Sequence, residues 1–136
     1  VSGLISFPIR LANAPLVAIV PVTDAAKALS FYQDKLGLRL LADEQPFALV
    51  FDVQGTMLRV TPVGQFQPQP FSILGWQVAD IEATIRELNK MEIWTTRFPG
   101  INETHPLGVW DAPGGARVSW FHDPFGNILS LTQLPG

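Results

Sequence analysis

Residues 17–24 read VAIVPVTD and residues 73–80 read ILGWQVAD. Both close on Val-x-Asp, at Val22/Asp24 and Val78/Asp80, so the two stretches are offset by 56 residues. In each, an apolar run suited to a buried strand gives way to an acidic residue that can cap a helix, because its carboxylate accepts from the first free amides. A stretch with helical spacing follows each time. A supersecondary unit used twice at a fixed period decides the architecture before any single element does.

Outward from the first copy, Ala25, Ala28, Leu29, Tyr32 and Leu36 recur at helical spacing and Gly37 supplies a stop. Residues 38–41, 47–53 and 56–61 read as three strands, with Gln54-Gly55 as a two-residue turn between the last two. In the second copy Asp80 caps a helix whose buried seam is Ile81, Thr84, Ile85 and Leu88. Strands are predicted over 93–97, 116–122 and 128–132. Between the copies, PVGQFQPQP (62–70) is a linker without periodicity. Residues 98–107 form a long loop that suits a lid or rim. Each copy is therefore a βαβββ unit, over 15–61 and 71–133, in one compact α+β domain.

The second unit closes with Phe121-His122-Asp123-Pro124-Phe125-Gly126-Asn127. Paired βαβββ units ending in a DPxGN turn resemble the vicinal oxygen chelate superfamily, which contains glyoxalase I, bleomycin-resistance proteins, fosfomycin-resistance proteins and extradiol dioxygenases. The resemblance implies two tandem modules whose curved mixed sheet surrounds a cup, with helices on the outer face. It also implies metal ligands at four positions, occupied here by Val17, Arg59, Ile73 and Ser130. None is an ordinary divalent-metal donor, and Arg59 would repel a cation. The neighbours Leu16, Ala18, Ser72, Leu74, Leu129 and Leu131 are no better, so the expectation is no metal and no cofactor.

Strand alternation sketches the cup. A two-residue loop at Gln54-Gly55 sets Val53 opposite Thr56, Asp52 opposite Met57 and Val50 opposite Arg59. Val50, Asp52, Met57, Arg59 and Thr61 then share the cup face, while Phe51, Leu58 and Val60 pack on the helices. Asp52 lies diagonally from Arg59, so either the two neutralise each other or the Arg59 fork binds an anion. A type I turn at Asp123-Pro124-Phe125-Gly126 sets His122 opposite Ile128, Phe121 opposite Leu129 and Trp120 opposite Ser130. Trp120 either fills the space of the missing metal or floors a ligand site. Gln77 shares the parity of Ile73 and is a pocket hydrogen-bonder, whereas Trp76 goes to the helix side. A replacement metal site from His122, His105 and Glu103 or Asp111 has no supporting ligand spacing. His122 and Asp52 are the acid/base candidates.

Composition narrows the function. A net charge of −3 with scattered Lys and Arg lacks the basic stripe of a nucleic-acid binder. The absence of cysteine excludes disulfides and thiolate chemistry. Leu16–Pro21 is too short an apolar run to span a bilayer or act as a signal core, so a cytoplasmic protein without a membrane partner is expected. Asn102-Glu103-Thr104 matches a glycosylation sequon. The expected role is metal-independent binding of a small, anionic molecule in an apolar cup, by Arg59, Trp120, Gln77, Ser130, Val50 and Met57. The chain is expected to be a homodimer, given its apolar composition. The alternatives are an enzyme of the glyoxalase or dioxygenase type, a metal-free lyase or isomerase, or a non-catalytic partner.

Overall fold

The computed structural model describes residues 9–136. After a 3-10 turn at Leu11–Asn13, the first module runs β1 (Val17–Val22), α1 (Ala25–Leu29, continuing as a π-helix over Ser30–Lys35), β2 (Arg39–Glu44), β3 (Ala48–Val53) and β4 (Thr56–Pro62). The second runs β5 (Ser72–Gln77), α2 (Ile81–Lys90), β6 (Trp110–Asp111), β7 (Arg117–His122) and β8 (Ile128–Gln133). The sheets have the same order, β1-β4-β3-β2 and β5-β8-β7-β6. In each, the first strand is parallel to the last and the other pairs are antiparallel. This is an α+β fold of two βαβββ modules, with β1 lying against β5 at the junction. No helix of the described residues is long and apolar enough to cross a membrane.

Local chemistry explains the repeated element starts. Asp24 Oδ1 accepts from Lys27 N at 3.0 Å and Asp80 Oδ1 accepts from Ala83 N at 3.0 Å, so both Val-x-Asp aspartates are helix N-caps. Gln133 Oε1 takes a further free amide of α2, Ile81 N, at 2.8 Å. Both hairpin registers follow the turn chemistry: Val53 faces Thr56 and Val50 faces Arg59, while His122 faces Ile128 and Trp120 faces Ser130. Gly126 has φ 88°, which a side chain rarely tolerates, and completes the second turn. Val20, Val22, Phe51, Leu58, Val60, Ile81, Ile85, Phe121, Leu129 and Leu131 form one core beneath both sheets.

The expected strand over 93–97 is not formed. Only Thr96 bridges to β7, opposite Trp120, and the edge is completed instead by β6 against Arg117 and Val118. The chain leaves the sheet after Thr96 because the backbone there is engaged by the loop: Asn102 binds Thr96 O and Phe98 N, and the Arg97 guanidinium donates to the carbonyls of Asn102, Glu103, His105 and Pro106. Residues 98–107 are thereby tied down as a built loop. Asn102, only 1% exposed, anchors it from inside: its Oδ1 accepts from Phe98 N at 2.7 Å and its amide donates to Thr96 O and Gly108 O. The sequon asparagine is thus a buried structural residue with its amide fully engaged.

A polar latch joins the modules. The Tyr32 hydroxyl donates to Asp123 Oδ2 at 2.7 Å, and Asn127 Nδ2 donates both to Asp123 Oδ2 and to Pro21 O at 2.8 Å. Asp123 Oδ1 accepts from the amides of Phe125 and Asn127. All three side chains are buried, as such fully satisfied networks permit. Burial, and then the charge and hydrogen bond of Asp123, push the Tyr32 hydroxyl well above the ordinary tyrosine range.

Candidate functional site

Alternation along β1 and β4 separates two faces. Val20, Val22, Leu58 and Val60 are buried against the helices, whereas Val17, Ile19 and Met57 are 50%, 64% and 38% exposed on the opposite face. Arg59 stands on this second face beside Ile19, and Val17 beside Met57. The concave side is therefore an open apolar trough. None of the five best-defined cavities among the described residues is lined by Arg59, Trp120, Ser130, Val50 or Met57.

The expected ligand residues occupy different settings. Val50 is 5% exposed and presents no surface to a ligand. Arg59 Nη2 lies 3.7 Å from Glu44 Oε1, while Asp52 lies 3.9 Å from Arg39. The anticipated Asp52–Arg59 pair is replaced by two pairs with β2, because that strand carries one charge of each sign: Arg39 meets Asp52 on the adjacent β3, and Glu44 reaches across β3 to Arg59 on β4. Glu44 is itself half-exposed, so the Arg59 charge is only weakly engaged. Ser72 Oγ donates to Ser130 Oγ at 2.9 Å, and Gly75 pairs with Ser130 across the strands. A side chain at Gly75 would collide with the Ser130 hydroxyl.

Trp120 is the centre of an aromatic cluster. Its ring stacks on Trp110 at 6.2 Å and 28° and meets Phe98 edge-on at 5.3 Å and 89°. Trp110 comes from β6 and Phe98 from the anchored 98–107 loop. Neither carries a periodic or motif signal in the sequence, so their convergence on Trp120 is visible only in three dimensions. Gln77, expected in the cup, lies at the end of β5 and lines two adjoining cavities of about 250 and about 360 Å³ at the junction between the modules.

A metal does not fit the implied positions. Val17, Arg59 and Ile73 offer no donor, and the one oxygen, Ser130 Oγ, is already hydrogen-bonded to Ser72. The replacement set is not assembled either. His105 Nδ1 accepts from Leu107 N, Asp111 binds Arg117, and His122 Nδ1 shares a 2.6 Å hydrogen bond with Thr96. No group of three His, Cys, Asp or Glu side chains is arranged to hold an ion among the described residues. The acid/base candidates are also apart, with His122 at an exposed edge and Asp52 paired to Arg39.

A family model described as Glyoxalase/Bleomycin resistance protein/Dioxygenase superfamily matches residues 14–131. No curated protein matches the chain. Among solved structures, similarity extends to a Bacillus anthracis protein assigned to the glyoxalase family (16% identity, TM-score 0.70, covering 96% of this chain and 99% of that one). A lactoylglutathione lyase from Agrobacterium tumefaciens gives 16% identity and a TM-score of 0.68, covering 89% and 93%. A Sphaerobacter thermophilus member of the superfamily gives 22% and 0.66, covering 88% and 95%. At these identities the structural likeness concerns the fold.

Proposed function

Because the chain belongs to the glyoxalase/bleomycin resistance protein/dioxygenase superfamily, we propose that it is a metal-independent small-molecule binding protein of the bleomycin-resistance kind, with its concave face as the site. One observation carries the reading. The positions that would ligate a metal hold no donor set, yet the same face presents an aromatic cluster at Trp120 and a weakly engaged cation at Arg59. Stacking surface and a guanidinium fork without an acid/base pair describe recognition of a planar or anionic molecule. A cytoplasmic location belongs to the same proposal, as does the absence of a nucleic-acid partner, which the net charge of −3 supports.

Titration with benzoate, inorganic phosphate and tetramethylammonium, each with and without chelator, tests the site. Anions are expected to bind in preference to the cation and independently of chelator. Arg59→Ala should weaken the anions by about 1.5–3 kcal/mol, the range for hydrogen bonds to charged groups. Its stability should change by less than about 1 kcal/mol, because the abandoned partner Glu44 is solvated. Anion affinity unaltered by Arg59→Ala, or lost with chelator, would overturn the proposal.

The same proposal includes a homodimer. Leu16, Val17, Ile19 and Met57 expose a contiguous apolar strip that a second copy would cover, closing the trough. Light scattering at micromolar concentration is expected to give twice the chain mass. Ile19→Lys should shift it to the monomer and lower ligand affinity together. A wild-type monomer counts against this closure.

A further inference from the structure

The modules repeat, but the two seams between them differ. At one seam Tyr32, Asp123, Asn127 and Pro21 O form the latch. The 56-residue offset places Leu88 where the first module has Tyr32 and Gln77 where it has Pro21. Both carbonyls close their helices, with the first module one residue longer through its π-helix: Leu38 N donates to Tyr32 O at 3.0 Å across six residues, and Ile93 N donates to Leu88 O at 3.0 Å across five. The corresponding turn is Gln54-Gly55, two residues without a carboxylate in place of Asp123-Pro124-Phe125-Gly126. At the second seam the hydroxyl, the carboxylate and one residue of turn are therefore all missing. The two cavities of about 250 and about 360 Å³ lie there and share Val53, Trp76 and Gln77.

We propose that this open seam is a second ligand site, separate from the concave face, for a neutral flat aromatic molecule bearing one hydrogen-bonding group. Neither cavity has a charged side chain in its lining, so an ion would lose hydration without compensation. One wall is flat, because Trp76 stacks on Phe121 at 6.2 Å and 21°. Leu36, Val53 and Leu88 complete an aliphatic pocket just below the usual ligand range, which the adjoining cavity extends. Two polar groups lie among these walls. The Gln77 amide makes no hydrogen bond among the described residues, and Thr84 Oγ1 donates to Asp80 O at 2.8 Å, leaving its lone pairs free to accept. A single hydroxyl on the occupant satisfies this arrangement.

The test uses 1-naphthol as the neutral probe and 2-naphthoate as its charged counterpart, followed by the indole N–H resonances of the four tryptophans. Saturable 1-naphthol binding is expected to move the Trp76 resonance, with 2-naphthoate at least about tenfold weaker at the seam because of its desolvation. Leu88→Trp fills the pocket and should abolish the response. Gln77→Leu, at an exposed position that leaves the core intact, should weaken 1-naphthol by about threefold to tenfold, the value of one neutral hydrogen bond. Arg59→Ala should leave it unchanged, which separates this site from the concave face. No saturable binding of 1-naphthol, a response at Trp120 instead of Trp76, or equal affinity in Gln77→Leu would overturn the proposal. Gln77→Leu decides the matter if Leu88→Trp does not fold.

Discussion

Asp123→Ala is expected to lower the folding stability by about 3–5 kcal/mol, the range for removing one partner of a buried charged network. The carboxylate accepts from Tyr32 Oη, Asn127 Nδ2 and the amides of Phe125 and Asn127, and alanine leaves all of these donors short of a partner. Tyr32→Phe, which removes only one donor, should cost about 1–3 kcal/mol. Urea unfolding at an unchanged m-value measures both, and a double-mutant cycle should show strong coupling. Tyr32 also gives a pH signature. Its folded pKa is raised, so the folded chain keeps the phenolic proton where the unfolded chain releases it. That stability is complete below the unfolded tyrosine value of about 10 and falls as pH rises above it, by up to about 1.4 kcal/mol per unit. The chain has one tyrosine, so phenolate absorbance reports it alone and should appear only with unfolding. Phenolate formation in the folded protein near the ordinary tyrosine pKa would contradict the latch.

Asn102→Ala is expected to cost about 2–4 kcal/mol, because three hydrogen bonds of a buried side chain are lost and the amide of Phe98 and the carbonyls of Thr96 and Gly108 lose a partner. The effect should be local as well as global. Hydrogen exchange of Phe98 and its loop neighbours should accelerate beyond that of β7, since Arg97 alone cannot hold the inner side of the loop. Phe98 is one wall of the aromatic cluster, so the fluorescence of Trp120 should shift in the folded mutant. Slow exchange of Phe98 N–H in Asn102→Ala would show that the loop is held by other contacts.

The parts of the fold legible in the sequence are those set by local chemistry. Asp24 and Asp80 announce helix starts because capping is a contact three residues away. Gln54-Gly55 and Asp123–Gly126 set hairpin registers because a turn of known length determines every facing pair. Trp120 opposite Ser130 was readable for the same reason. The Arg59 partner was not, since Glu44 reaches it from β2 across a strand whose pairing slips between Leu40 and Ala42. The edge beside β7 is not legible, because residues 93–97 have strand-like composition while Asn102, in the following loop, takes up the backbone of Thr96 and Phe98. Phe98 and Trp110 carry no spacing relation to Trp120, so the cluster depends wholly on where that loop returns. The openness of the trough is likewise a property of how the two sheets meet, which no single stretch encodes.

The latch also bears on time as well as on equilibrium. Tyr32 and Asp123 are separated by 91 residues, and Pro21 and Asn127 by 106, so the latch joins parts of the chain far apart in sequence. Contacts that close such long loops are entropically late, and interactions absent from the folding transition state act on escape from the native state. Weakening the latch should therefore leave the rate of folding nearly unchanged and accelerate unfolding by most of the lost free energy. The DPxGN turn, on this account, governs the lifetime of the folded molecule.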